Sequence, residues 1–344
     1  MTIQVLKENL FNDYDEFLLT NKNNLLYASS KYLLFLEKVL KCKTYVLIVK
    51  VDDTIIACLP LMYKDGNLGR VYNSLPFYGS NGGIISNSES ATSLLIKKYN
   101  EIISEDNVAS SNYIENPLNK INLENAINYN EEDFRIGQLT PLNIDNPNEL
   151  ENGDLLMQSF LSSTRRNIRK AIKSEIVVGI DNSSMNFVKR EHVEGMIKIN
   201  GKSKSDLFFD SISKSFTAGV DYNIFVAKKE EIIIAAILVF YFNKTVEYFV
   251  PVTSEGYRNF QPNALIIYEA MIDAMNKGYL YWNWGGTWES QSGVYSFKNK
   301  WNTQNINYKY YINVNNKMVY KASKEELLEN YNGFYLLPFQ KLSI

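Results

Sequence analysis

The sequence contains few of the residues on which metal, disulfide and thiol chemistry depend. Its 344 residues include a single histidine, His192, and two cysteines, Cys42 and Cys58. Two cysteines give no disulfide framework, and no cluster has metal-ligand spacing, so we expect no metal. No apolar run is long enough to span a membrane, and the first residues lack a signal-peptide core. We therefore expect a cytoplasmic protein.

An excess of positive charge is also missing. Lys and Arg total 36 against 38 Asp and Glu, a net charge of -2 at pH 7. Nucleic-acid-binding domains usually carry a clear basic excess, so we expect no nucleic-acid partner, although a local basic patch remains compatible with this balance. The length predicts about two domains. All four tryptophans fall within residues 282–301.

The second half of the chain predicts three strands, a loop, a helix and a fourth strand. Short turns separate the first three strands, which indicates an antiparallel meander. Pro262 suits the first position of the helix, and Gly278 suits its end. A strand–helix–strand crossover normally leaves its two strands parallel. The predicted strands are 222–229, 232–242, 245–252 and 279–284, and the helix spans 262–278.

The first half predicts the same order of elements without sharing the sequence. Three strands within residues 42–75 precede a Gly-rich loop, a helix over 91–106 and a weaker strand. Residues 116–152 are rich in Pro, Asn and acidic residues, which indicates a connection. We place the boundary near Glu151, and thus predict an α/β protein with domains 1–150 and 151–344.

Four segments resemble the Fem-type branch of the GNAT acyltransferases. They are "LPFYGSNGGI" (75–84), "STRRNIRKAIKSEIVV" (163–178), "NALIIYEAMIDAMNKGYLYWNWGG" (263–286) and "GVYSFKNKW" (293–301). That branch includes peptidoglycan-bridge transferases and related nucleotide-sugar N-acyltransferases. The resemblance implies two tandem GNAT-like domains, each a mixed, mostly antiparallel sheet flanked by helices. Asn283 departs from the Asp that is usual before the Gly-Gly pair.

The resemblance implies an acyl-CoA-dependent N-acyltransferase. We expect it to move an acyl group from acyl-CoA to the amino group of a nucleotide-linked amino sugar, for cell-surface polysaccharide. One alternative is a Fem-type transferase that uses aminoacyl-tRNA and a peptidoglycan precursor; another is a non-catalytic GNAT-like scaffold, which the departure at Asn283 favours. The net charge of -2 favours acyl-CoA over tRNA. A homodimer is allowed but not required.

The GNAT resemblance also implies a site in the second domain. The third strand and the crossover strand would splay apart, and a backbone N–H of the third strand would hold the oxyanion. Tyr248 and Tyr295 are the predicted catalytic phenols, with Glu247 as general base; Asp210 and His192 are alternatives for the base. The predicted donor-binding residues are Val250, Val252, Gly256, Arg258, Asn259 and Asn263.

The acceptor is expected to contact two further regions. The basic run that includes Arg166 and Arg169 presents one helical face, which is either an anion-binding face for a diphosphate or solvated surface. The loop at Tyr78–Gly83 has glycines that permit close approach to a ligand. The predicted substrate-binding residues are Tyr78, Asn81, Arg166, Arg169, Trp284, Gly285, Trp288 and Lys298.

Overall fold

The chain divides into two compact units in a computed structural model. One unit combines Met1–Gly137 with Ile306–Ile344, and the other is Gln138–Asn305. The predicted ranges 1–150 and 151–344 differ from this division because the last 39 residues, 306–344, return to the first unit. The structure describes residues 1–77, 82–119, 121, 123, 125–142, 149–288 and 290–342.

The first unit combines helices and strands from the N-terminal part of the chain with the C-terminal segment. Its helices are α1 (Phe11–Leu19), α2 (Ser30–Leu40), α3 (Glu89–Ile103) and α10 (Lys324–Asn330). Its strands are β1 (Thr2–Val5), β2 (Lys43–Thr44), β3 (Leu47–Val51), β4 (Thr54–Leu59), β5 (Met62–Gly66), β6 (Gly69–Asn73), β7 (Ile85–Ser86) and β8 (Val108–Ile114). The chain leaves this unit within β9 (Glu131–Pro141) and re-enters it within β15 (Gln304–Val314).

The strands of the first unit form two separate groups. One group has the order β1-β3-β4-β7, and the other includes β15-β8-β6-β5-β2. The sequence places Pro60 between β4 and β5, and a proline has no backbone N–H with which to extend a ladder. The predicted meander is therefore divided, while the predicted parallel pairing of the crossover is present between β6 and β8.

The second unit is a five-stranded group with helices on both sides. Its order is β10-β11-β12-β13-β14, antiparallel except for the parallel pair β13–β14. The strands are β10 (Val177–Ile180), β11 (Tyr222–Lys229), β12 (Ile232–Phe242), β13 (Thr245–Thr253) and β14 (Tyr281–Thr287). The helices are α4 (Glu149–Ser159), α5 (Ser162–Lys173), α6 (Met185–Lys198), α7 (Asp206–Ser215), α8 (Pro262–Asn276) and α9 (Ser292–Asn299).

Local chemistry explains why the second unit follows the sequence pattern so closely. Glu230 and Glu231 take φ values of 49° and 63°, which closes the two-residue turn between β11 and β12. Gln261 caps α8 at a φ of 61°, and Pro262 occupies the first turn, where its missing N–H costs nothing. The buried faces of β12, α5, α8 and β14 share one core, which includes Trp282, Trp284 and Trp301.

Candidate active site

The candidate site lies where β13 and β14 separate. The two strands pair in parallel only from Thr245 opposite Tyr281 to Glu247 opposite Asn283. β13 continues for six residues beyond this pair, and β14 continues for four. The strands therefore enclose a gap that is closed at Glu247 and open towards Thr253, which is the splay that the GNAT resemblance implies.

A β-bulge marks the middle of this gap. In the pairing of β12 with β13, Leu238 faces Val250 and Val239 faces Tyr248, so Phe249 is the extra residue. Because the extra residue Phe249 shifts the register by one, Val250 lies near the level of Gly285 when counted from the last β13–β14 pair. The bulge re-aims the backbone of β13 at this level, where an acyl carbonyl would meet its N–H groups.

The closed end of the gap is a buried polar pair. Asn283 donates through Nδ2 to Oε2 of Glu247 at 2.9 Å, and its Oδ1 accepts from the backbone N–H of Gly285 at 2.9 Å. Both side chains are buried. Gly285 has a φ of 73°, a conformation that favours glycine. The residue that departs from the family pattern thus donates a hydrogen bond to the predicted base and orients it.

Asn283→Asp is expected to destabilise the protein in a pH-dependent way. Two buried carboxylates in contact cannot both ionise, so the folded-state pKa of the pair is raised. A raised carboxyl pKa costs stability as the pH rises from the unfolded value near 4 to the raised folded value, so the loss should be small near pH 4 and about 1–3 kcal/mol above pH 7. Urea unfolding followed by circular dichroism at both pH values measures this; an equal loss at each would contradict the paired geometry.

Lys298 brings a buried cation to the end of β14. Its Nζ donates to Oγ1 of Thr287 at 2.7 Å and to the carbonyl of Gly286 at 3.4 Å. No carboxylate forms an ion pair with it among the described residues. Burial lowers the pKa of Lys298 to about 8. An ammonium held only by neutral acceptors is suited to stabilise an anion that forms beside it.

Two residues that the sequence analysis missed support Lys298. The hydroxyl of Thr287 donates to Oε1 of Gln138 at 3.2 Å, and both side chains are buried. The amide of Gln138 donates in turn to the carbonyl of Tyr295, at 3.4 Å. No sequence signal identifies this chain of contacts, because Gln138 and Thr287 are 149 residues apart.

A cavity of about 490 Å³ lies at the open end of the gap. Three of the six predicted donor-binding residues line it: Val252, Arg258 and Asn263. Phe297, the neighbour of Lys298 in α9, forms another part of the wall, and 39% of its surface is exposed. The remaining predicted donor residues lie elsewhere, with Val250 buried in the sheet and Gly256 and Asn259 exposed on the preceding turn.

His192 lines the same cavity but is poorly suited to act as a base. Its Nε2 accepts the backbone N–H of Lys204 at 3.1 Å, so this lone pair is occupied. Burial and the charge of Lys204 lower the pKa of His192 to about 4. Asp210, the other alternative base, forms an exposed ion pair with Lys189 at 3.5 Å.

The two predicted catalytic tyrosines have different surroundings. The ring of Tyr248 packs 4.8 Å from that of Trp284, and burial raises its pKa above the usual value. Tyr295 lies in the first half of α9, where its hydroxyl accepts from Nδ2 of Asn305 at 2.8 Å. No measured contact joins either phenol to Lys298, so their catalytic roles stay predictions.

Three of the four tryptophans are core residues. Trp282 and Trp301 are almost fully buried, and Trp284 donates from its indole N–H to Oγ1 of Thr140 at 2.9 Å. Trp284 therefore lies beneath the surface of the site, although it was predicted to bind substrate. Trp288 is half-buried, beyond the end of β14. The tryptophans hold β14 and α9 together, and this fixes the position of Lys298.

The other predicted acceptor contacts lie on α5 or outside the described residues. Arg166 and Arg169 are exposed on α5, and the face that packs into the core consists of Thr164, Ile168 and Ala171. Tyr78 and Asn81 lie outside the described residues. Within the described part of the chain, no His, Cys, Asp and Glu group could hold a metal ion, and no helix is long and apolar enough to cross a membrane.

The segment that carries this site matches a known protein family, and the whole fold is similar to solved structures. Residues 214–325, which include β11–β14 and α9, match the model of the FemAB family. The crystal structure of FemX superposes with a TM-score of 0.69, at 14% identity, over 93% of this chain and 99% of that one. A sequence search finds no match among the curated proteins.

Two further solved structures share the fold. The C-terminal domain (DUF2156) of a putative lysylphosphatidylglycerol synthetase from Agrobacterium fabrum is 10% identical over 96% of this chain and 98% of that one, with a TM-score of 0.57. A tandem GNAT protein from the clavulanic acid biosynthesis pathway is 8% identical over 90% and 97%, with a TM-score of 0.50. The predicted tandem-GNAT fold and the resemblance to the Fem-type group are confirmed.

The predicted substrate class is wrong. The FemAB match and the likeness to FemX favour the alternative, a peptidoglycan-bridge transferase, over an N-acyltransferase of nucleotide-linked amino sugars. The expectation of a nucleotide-linked amino sugar as partner, and of no nucleic acid, is wrong for the same reason. What stands is the GNAT fold and the match of residues 214–325 to the FemAB family.

Proposed function

We propose that this chain transfers an aminoacyl group from aminoacyl-tRNA to an amino group of a peptidoglycan precursor. The observation that carries the proposal is the buried Lys298 at the end of β14, one of the two strands that bound the gap, inside the segment that matches the FemAB family. The cavity at the open end of this gap would receive the 3′ end of the donor. Arg258 at its wall provides a cation for a phosphate.

The reaction requires groups that stabilise an oxyanion, and it requires no covalent enzyme intermediate. The acceptor amine attacks the ester carbonyl, a C–N bond forms, and the C–O bond to the ribose breaks while a proton passes from the amine to the ribose oxygen. Negative charge develops on the carbonyl oxygen in between. The bulge lies in β13 and the ammonium of Lys298 contacts the end of β14, the two strands that bound the gap, and we assign the stabilisation of this charge to both.

The proposal depends on Lys298 more than on Glu247. Strands rise about 3.3 Å per residue, so Asn283 and its partner Glu247 lie about 10 Å along β14 from Gly286. A general base must come within hydrogen-bonding reach of the proton that it accepts. Glu247 thus stays a predicted base, positioned at the closed end of the gap where the acyl group would point.

The rate of transfer is expected to fall above about pH 8. The pKa of Lys298 is lowered to about 8 by burial, so the charged form that stabilises the oxyanion is lost as the pH rises through this value. Lys298→Arg keeps its charge above pH 12 and should remove this decline in whatever activity it retains. A wild-type kcat/KM that still rises between pH 8 and pH 10 would contradict the role of Lys298.

The choice of donor tests the proposed function. Wild-type protein is incubated with a peptidoglycan precursor and either aminoacyl-tRNA or acetyl-CoA, and release of deacylated tRNA or of free thiol is followed. We expect turnover with aminoacyl-tRNA and none with acetyl-CoA. Thiol release at a comparable rate, with no deacylation of tRNA above the protein-free rate, would reject the proposal.

A further inference from the structure

Helix α5 carries an unusually one-sided charge for a protein of net charge -2. Its twelve residues, Ser162–Lys173, include three arginines and two lysines and no acidic residue. Arg166, Arg169, Lys170 and Lys173 recur at helical spacing and are exposed. Among the described residues, no carboxylate forms an ion pair with any of these four side chains. We call these four residues the α5 basic face.

The apolar side of α5 is already occupied by the protein core. Ile168 and Ala171 are fully buried in the same cluster as the buried residues of α8. A helix that lies in a membrane interface inserts a continuous apolar face among the lipids, whereas Ile172 is the one large apolar side chain that α5 exposes. Its outward surface therefore offers charge and hydrogen-bond donors, of which the guanidinium groups suit phosphates.

The α5 basic face begins next to the helix that carries Lys298. The carbonyl of Lys300, which directly follows α9, accepts the backbone N–H of Leu161 at 3.0 Å and the hydroxyl of Thr164 at 3.3 Å. Phe297 of α9 lines the cavity at the open end of the gap. One short helix thus separates this cavity from the start of α5, which extends for about 18 Å at 1.5 Å per residue.

We infer that the α5 basic face is the docking surface for the acceptor stem of the RNA donor. This inference rests on the proposed function, because it assigns a binding surface to the part of the RNA donor that lies beyond its 3′ end. A duplex RNA presents a row of phosphates, and a row of four unpaired cations on one helical face complements it. Binding through phosphates would be independent of sequence, while the cavity would select the aminoacylated end.

Binding of an acceptor-stem minihelix tests the inference directly. The probe is a fluorescent RNA hairpin that ends in CCA, and anisotropy is measured at several salt concentrations for wild type and for the fourfold variant R166Q/R169Q/K170Q/K173Q. We expect the Kd of the variant to rise roughly 10³-fold at 0.1 M salt, because a slope difference of about 3 accumulates over the decade between 0.1 M and 1 M salt. The slope of log Kd against log salt should fall by about 3, since each phosphate contact contributes about 0.7–0.9.

A matched control removes four exposed lysines that do not belong to α5. The variant K214Q/K317Q/K321Q/K324Q changes the net charge equally and should bind the minihelix like wild type. Unchanged minihelix binding by the α5 variant, or an equal loss in the control variant, would overturn the inference. So would loss of binding to anionic phosphatidylglycerol vesicles with minihelix binding intact, which would indicate a membrane surface instead.

Failure of the inference and failure of the proposed function give different results. If wild type binds the minihelix through α5 but transfers nothing from aminoacyl-tRNA, the docking surface stands and the proposed function fails. If transfer from aminoacyl-tRNA occurs but the α5 variant binds the minihelix like wild type, the proposed function stands and the docking surface fails. Where both hold, the α5 variant should show a raised KM for aminoacyl-tRNA with an unchanged kcat, because α5 does not touch the reacting atoms.

Discussion

Replacing Lys298 by methionine should lower the rate of aminoacyl transfer about 10²–10³-fold, the usual effect of removing one oxyanion-stabilising group. The loss should appear in kcat, because the ammonium interacts with charge that develops only during the reaction. Single-turnover transfer from aminoacyl-tRNA to the precursor measures it. A change of less than threefold would mean that Lys298 plays only a structural role.

The same substitution should not weaken the fold. Burial lowers the pKa of Lys298, so folding disfavours its charged form, and Met removes that cost while filling a similar volume. We expect Lys298→Met to be about 1–3 kcal/mol more stable than wild type at pH 7. Because a lowered lysine pKa makes wild-type stability rise with pH above about 8, this advantage should shrink towards pH 10.

Trp301→Ala is expected to cost about 3–5 kcal/mol of the free energy of unfolding, as truncation of a buried Trp usually does. The Trp301 ring is 2% exposed and lies 5.0 Å from that of Phe160 and 5.7 Å from that of Trp284. Its removal would leave a cavity at the joint of α5, α9 and β14. Guanidinium unfolding monitored by circular dichroism measures the loss.

Trp288→Ala provides the matched control for this result. Trp288 follows the last residue of β14 and is half-buried, so its truncation removes little core packing. We expect a change within about 0.5 kcal/mol. Equal destabilisation by the two variants would contradict the division of the tryptophans into three core residues and one near the surface.

The periodic elements of the second unit could be predicted from the sequence with little error. β11 and β12 have the predicted bounds, because charged or Asn-containing two-residue turns interrupt long apolar runs there. β9 and β15 were missed. The alternation of Ile306, Tyr308, Tyr310 and Ile312 was a usable strand signal for β15, whereas the Asn- and Pro-rich surroundings of β9 hid its pattern.

The strand geometry of the candidate site could be predicted, but its side-chain contacts could not. The splay of β13 and β14 follows from the fold, but the contacts of Lys298 with Thr287, and of Thr287 with Gln138, depend on tertiary packing. The error about a nucleic-acid partner has a different cause. A net charge of -2 averages over the whole chain, while the charge that matters to a polyanion is concentrated on α5.

The mass of the acceptor after reaction tests the central claim most directly. A peptidoglycan precursor with a free amino group is incubated with wild-type protein and aminoacyl-tRNA, with or without prior ribonuclease treatment of the donor, and analysed by mass spectrometry. The account predicts a mass increase of one aminoacyl residue that Lys298→Met strongly reduces and ribonuclease treatment diminishes. An unmodified precursor with intact aminoacyl-tRNA, alongside a precursor that acetyl-CoA acetylates, would contradict it.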